Sequence, residues 1–381
     1  MCLTGHDRFA RSDFEALRQF GIGTARECVR WHVIERVPGE YDFASLDSLL
    51  DVAEETEMQV VLDLLHFGWP DHIDIFSAQF PVSFGKFTAA VATHLRKRRP
   101  GHCYLIAPVN EISFLSWAGG EAACINPYRN DCAAELKRNL IRAAAMSSEI
   151  LLNELPNVRL ISPEPVIHII ENPEIPNSAV DAENYRLSQF QVWDMLSGNL
   201  APELGGRPEY LDVIGTNFYD RNQWVHHGRN LLRDDPDYKP FREMLKEVWH
   251  RYGRPMFISE TGTEDGWRAE WFTYVCDEVA AALDLGIPIE GICLYPILNH
   301  PGWEDDRHCH NGLLDYPDHE GVRNIHWPLA QAVRAQQRRF GRSSLATHEF
   351  YKHRLDLPIS SPLGLRVSTT STPDEQVRTN A

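Results

Sequence analysis

The strongest constraint on the fold is a rhythm that runs through most of the 381 residues. Apolar runs of strand length alternate with stretches in which apolar residues recur every three or four positions, the spacing of a helix face. Strands are predicted at Thr24–Trp31, Gln59–Leu65, Cys103–Val109, Val158–Ser162, Asp212–Phe218, Pro255–Ser259 and Glu290–Tyr295. Helices are predicted at Asp13–Phe20, Leu46–Ala53, Pro81–Leu95, Tyr128–Glu154, Asp181–Leu196, Phe241–Trp249, Trp271–Val279 and Pro328–Phe340. Strict alternation of this kind implies parallel strands joined by helical crossovers.

In such folds ligands bind beyond the carboxyl ends of the strands. The run Ile106-Ala107-Pro108-Val109 ends in Asn110-Glu111, and Pro255–Ser259 ends in Glu260-Thr261-Gly262. Other ends deliver Arg30 and His32, His66-Phe67-Gly68-Trp69-Pro70, and Asn217-Phe218-Tyr219. Polar and aromatic residues follow nearly every strand instead of gathering at one switch point. That distribution predicts a closed (β/α)8 TIM barrel over a doubly wound sheet. The eighth strand would lie before Met1, so the barrel is expected to lack its first strand, with the true start upstream. The catalytic barrel is expected over residues 1–345. A tail at 346–381, rich in Ser, Thr and Pro without periodicity, is expected to be largely disordered.

A net charge of −17 excludes nucleic acid and anionic membrane surfaces as expected partners. No apolar segment approaches the roughly 18 residues of a membrane span. Eight scattered Cys without a CxxC suit a reducing, cytoplasmic setting. His308-Cys309-His310 lies beside Glu304, Asp305 and Asp306, but no spaced second half of a metal site is evident, so no metal or cofactor is expected. Ten Trp exceed what a core alone needs. Two carboxylates at two strand ends are what cleavage of a glycosidic bond requires.

The strand-end residues resemble those of clan A glycoside hydrolases, which place Asn-Glu after the fourth barrel strand and a second Glu at the end of the seventh. Within the clan the chain looks most like a divergent relative of glycoside hydrolase family 1, the β-glucosidase-like family. Leu64-Leu65-His66-Phe67-Gly68-Trp69-Pro70, Asp212–Tyr219 and Tyr295–Trp303 are similar to that family's second-loop, Asn-Tyr-Tyr and eighth-strand segments, and Arg30 to its second-strand arginine. Gly302 stands where the family has a sugar-binding glutamate, and Tyr295 replaces a tryptophan.

The resemblance implies that Glu111 is the acid/base and Glu260 the nucleophile of a retaining β-glycosidase. Arg30 and Tyr219 would keep Glu260 ionised. Asn110 would bond the sugar's 2-hydroxyl, and His66, Asn217, Tyr295, Trp303 and Glu304 would bind substrate. Trp69, Trp117 and Glu164 are further strand-end candidates. The expected partner is a small-molecule or oligosaccharide β-glycoside. A catalytically impaired sugar- or protein-binding barrel and a transglycosidase are the alternatives, since transfer shares the first half-reaction.

Overall fold

Leu62, Asp63, Leu64 and Leu65 are all buried, on both faces of one strand, as in a parallel sheet covered on each side. The computed structural model describes residues 3–352 apart from 304 and 306, with side chains described to residue 341. Its strands are β1 Thr24–Cys28, β2 Gln59–Leu65, β3 Leu105–Val109, β4 Arg159–Pro165, β5 His168–Ile170 and β6 Val213–Asn217. They continue with β7 Gln223–Val225, β8 Met256–Thr261, β9 Ile289–Leu294, β10 Leu314–Pro317 and β11 Arg323–Ile325. Seven of them form one parallel sheet in the order β1-β2-β3-β4-β6-β8-β9. The sheet curls into a near-closed TIM barrel, in which Arg26 of β1 reaches Glu260 of β8.

Helices coat the outside. Phe84, Phe87, Val91 and Leu95 of the helix Phe80–Arg98 are fully buried, on the face the spacing predicts. The helix Ala133–Glu154 packs alongside it. Phe14 and Leu17 of the helix His6–Gln19 share one apolar cluster with Ala25 of β1 and Ile292 and Leu294 of β9. That cluster covers both edge strands of the sheet. Asp13 of the same helix is buried against Arg323 of β11 and His6, which ties the β10–β11 hairpin to the chain's start. The first compact unit covers residues 1–340; in the second, residues 341–381, the described part is helical and ends at Lys352. Most of the expected tail lies outside the described residues.

Inside the barrel, Val61, Ala107, Ile161 and Val213 form a plug from four strands. Phe257 of β8 packs with this plug, whereas Ile258 belongs to the outer core. Strict alternation would therefore turn Ser259 inward and Glu260 outward. The pairing of β8 with β6 slips by one residue between Thr216↔Ile258 and Asn217↔Glu260. This bulge re-aims Glu260 into the barrel beside Ser259. Gly215 makes room for it: a Cβ there would meet Ser259 Oγ at 2.6 Å and Pro163 Cα at 2.9 Å.

The sequence reading placed the seven barrel strands within a few residues but missed several local features. Trp31–Ile34 and Ile112–Gly120 are helices, the expected helix at 181–196 is two, and the pair β5–β7 and the hairpin β10–β11 are additional. Short segments carry too few periodic positions to register.

Candidate active site

Three neighbouring strands end with the same device. Arg30, Phe67 and Glu111, each two residues past its strand, adopt left-handed backbone with φ of 55°, 62° and 43°. For a residue with a side chain this conformation costs about 1–2 kcal/mol, so surrounding contacts must hold it. At Glu111 the contacts come from β4. Its N–H donates to the Pro163 carbonyl at 3.0 Å. Glu164 accepts from the Ser113 N–H and hydroxyl, capping the helix that Glu111 opens.

Both carboxylates sit at the end of the barrel where the strands stop. Glu111 and Glu260 are 8% and 6% exposed. Their surroundings differ in kind. Glu260 accepts from Arg26 Nη1 at 2.7 Å through one oxygen and from the Tyr219 hydroxyl at 2.7 Å through the other. Among the described residues Glu111 accepts one side-chain bond, from Asn217 Nδ2 at 2.8 Å. Burial, and then the charge of Glu260, hold Glu111 well above the ordinary carboxylate range, while the Asn217 bond and Arg26 pull the other way. Burial and the Glu260 charge likewise push the Tyr219 and Tyr295 hydroxyls up, so both remain donors.

The arginine at Glu260 is Arg26, not Arg30. Arg26 lies mid-strand with its side chain inside the barrel, bonded to Asp63 through Nε at 2.9 Å and Nη2 at 2.8 Å, and also to Asn110 Oδ1 and the Ser259 carbonyl. Burial alone would weaken its charge, but Asp63 and Glu260 overcome this and hold the guanidinium protonated. Arg30 lies two residues past the strand in left-handed backbone, its N–H meeting Cys28 Sγ at 3.4 Å. An arginine at either position satisfies a motif by eye. The inward parity of position 26 is the signal that separates them.

The other expected residues fall into three groups. His66 bonds Asp63 through Nδ1 at 2.8 Å and stands 3.4 Å from Asn110 Nδ2, so His66 and Asn110 belong to the same polar floor. Asn217 is wholly buried, bridging Glu111 and Ser259 Oγ, which makes its contacts internal to the protein. Trp303 and Trp117 are 54% and 46% exposed. Trp303 contacts Phe67, whose ring also meets His66 and Phe114, and Phe114 meets Trp117. This aromatic run leads outward from the polar floor. Trp69 is a core residue, 8% exposed. Glu304 lies outside the described residues. Asp63 and Ser259 were not expected. Their signal, a polar residue on the inner parity of an apolar strand, is visible only once parity is known.

Comparisons with known proteins agree with this architecture. Residues 4–65 match the family model of glycosyl hydrolase 42, described as Beta-galactosidase. No curated protein matches. A β-glucosidase from Thermotoga maritima in complex with glucoimidazole superposes with a TM-score of 0.73 at 15% identity over 86% of each chain. A structure described as a family 1 β-glucosidase from the same organism gives 0.72 at 14%, covering 87% of this chain and 86% of that one. The AHE enzyme from Alicyclobacillus herbarius gives 0.71 at 15%, over 87% of each. The partial family match and the shared barrel support the resemblance to a divergent clan A glycoside hydrolase. No helix among the described residues is long and apolar enough to cross a membrane.

Proposed function

We propose that the chain is a retaining β-glycosidase acting on a β-glucoside or β-galactoside, the two substrate classes named by the proteins it resembles. One observation carries the reading: the two inward carboxylates have opposite environments. Glu260 has both oxygens occupied by donors, one of them a cation, which fixes and aims the carboxylate. Glu111 is desolvated and kept protonated in part by the charge of Glu260. The family match over residues 4–65 and the barrel support glycoside hydrolysis as the reaction class.

In the first step Glu260 attacks the anomeric carbon while the bond to the leaving oxygen breaks and Glu111 gives that oxygen its proton. Esterification removes the Glu260 charge, and with it one of the two largest causes of the raised Glu111 affinity for protons. Glu111 is then a carboxylate of more ordinary basicity, suited to take a proton from the water that attacks the glycosyl-enzyme. A mere sugar-binding barrel has no use for this asymmetry.

The test is a panel of aryl β-glycosides with leaving groups of graded acidity. Glu260→Ala should abolish turnover on all of them. Glu111→Ala should lose several orders of magnitude on poor leaving groups and far less on activated phenols, which need no proton. Proton NMR should find the β-anomer formed first. Equal damage by Glu111→Ala across the panel, or an initial α-anomer, would overturn the assignment.

A further inference from the structure

We infer that His308, His310 and Asp315 form a binding site for a divalent transition metal of the zinc class, separate from the Glu111–Glu260 pair. The sequence places two histidines on either side of Cys309, with no spaced second half of a site evident. The fold supplies one. The segment after β9 runs antiparallel to itself, with Pro301 bridged to His308, and extended backbone turns residues two apart to the same face. The His308 and His310 rings accordingly lie 4.9 Å apart and 20° from parallel. Asp315, at the second position of β10, comes up beside them.

One ring nitrogen from each histidine and one carboxylate oxygen lie within 4.8 Å of one another. The closest pair, His308 Nε2 and Asp315 Oδ1, is 3.4 Å apart. Ligands held about 2.0–2.2 Å from a tetrahedral ion stand roughly that far from each other. Two imidazoles and a carboxylate are a zinc-type donor set, with the fourth position left to solvent. None of the three contacts Glu111 or Glu260 among the described residues.

The supporting groups are also in place. Asp315 Oδ1 accepts from Asn299 Nδ2 and from the Tyr316 N–H, both at 2.8 Å. These bonds fix the carboxylate, whose Oδ1 is the oxygen facing His308 Nε2. Asn299 is itself held, its oxygen accepting from the Gly312 N–H at 2.7 Å. The His308 ring stands edge-on to Tyr316 at 4.0 Å. Outer contacts of this kind orient metal ligands elsewhere. Arg268 lines the same cavity, but its guanidinium is bonded to the carbonyls of Asp265 and Gly312. The His310 carbonyl accepts from the Asp265 N–H at 2.8 Å, in the turn after β8. A bound ion would therefore pin the segment carrying Trp303 to the hairpin and to the turn that follows Glu260.

The experiment is calorimetric titration of the chelator-treated full chain with zinc ion, repeated with cobalt ion under visible spectroscopy. One ion per chain is expected, with affinity at least tenfold lower in His308→Ala and in His310→Ala. His319→Ala, an exposed histidine at the hairpin tip, should bind as the wild type does. The cobalt spectrum should lack a thiolate charge-transfer band, which excludes the exposed Cys103 as the ligand. Unchanged turnover of the metal-free variants relative to the metal-free wild type controls for folding. No stoichiometric binding, equal binding by the His308→Ala/His310→Ala double variant, or a thiolate band would overturn the site.

Discussion

Replacing Glu164 by Gln should stabilise the protein at neutral pH and leave it unchanged in mild acid. The carboxyl is 1% exposed, and burial lifts it from an ordinary 4.5 to about 7 against the bonds from Ser113 and the charge of Lys137. The folded chain thus holds this proton more tightly than the unfolded chain. Stability is fully present below about 4.5 and is lost as pH rises through about 7. Roughly 2.5 pH units at about 1.36 kcal/mol each amount to a loss of about 3 kcal/mol by pH 8. Gln cannot ionise, yet it offers Ser113 both an acceptor and a donor, so the variant escapes the loss. Urea unfolding of both proteins between pH 4.5 and 8 measures it. The variant's advantage should grow from near zero to about 3 kcal/mol across that range. A difference of either sign that does not change with pH would refute the reasoning. Turnover gives a second readout, because the Glu164 charge also raises Glu111. The basic limb of the kcat/KM profile should move to lower pH in Glu164→Gln.

Two further outcomes follow from the geometry. Arg26→Met strands Asp63 and Glu260 in a buried site and should cost about 3–5 kcal/mol in denaturant unfolding along with most of the turnover, whereas Arg30→Met should change neither by more than about twofold in rate. Trp303→Ala, which removes half-exposed aromatic surface beside Phe67, should raise KM roughly five- to tenfold with kcat kept, about 1–1.5 kcal/mol of uniform binding; a fall in kcat alone would place Trp303 in the chemistry.

What was legible in the sequence was what depends on period. Strand and helix spacing survive in any context, so the barrel could be read from runs such as Gln59–Leu65, whose predicted and observed limits coincide. Glu111 and Glu260 stood out because two carboxylates directly follow apolar runs in the order that resembles the clan A pattern; one alone, as Glu164 shows, can simply cap a helix. Tyr219 was expected beside Glu260 from the resemblance, and its hydroxyl does reach it. What failed was parity. Choosing between Arg26 and Arg30 requires knowing which face of β1 looks inward, and β1 is half-exposed along much of its length, so its pattern gives no clean alternation.

The bulge in β8 is the deeper case, because there the pattern is misleading and not merely weak. Alternation from Phe257 and Ile258 sends Glu260 to the outer helices, and only the slipped pairing with β6 brings it inside. The sequence marks the slip indirectly. Gly215 on the neighbouring strand has no side chain to oppose Ser259, and Ser259 bonds Asn217, which in turn holds Glu111. One irregular residue therefore sets the positions of both carboxylates at once. Glu260 is turned inward by the bulge, and Glu111 is tethered to the amide that the bulged serine anchors. The two carboxylates are coupled through backbone register as well as through charge, so restoring regular pairing would displace both together.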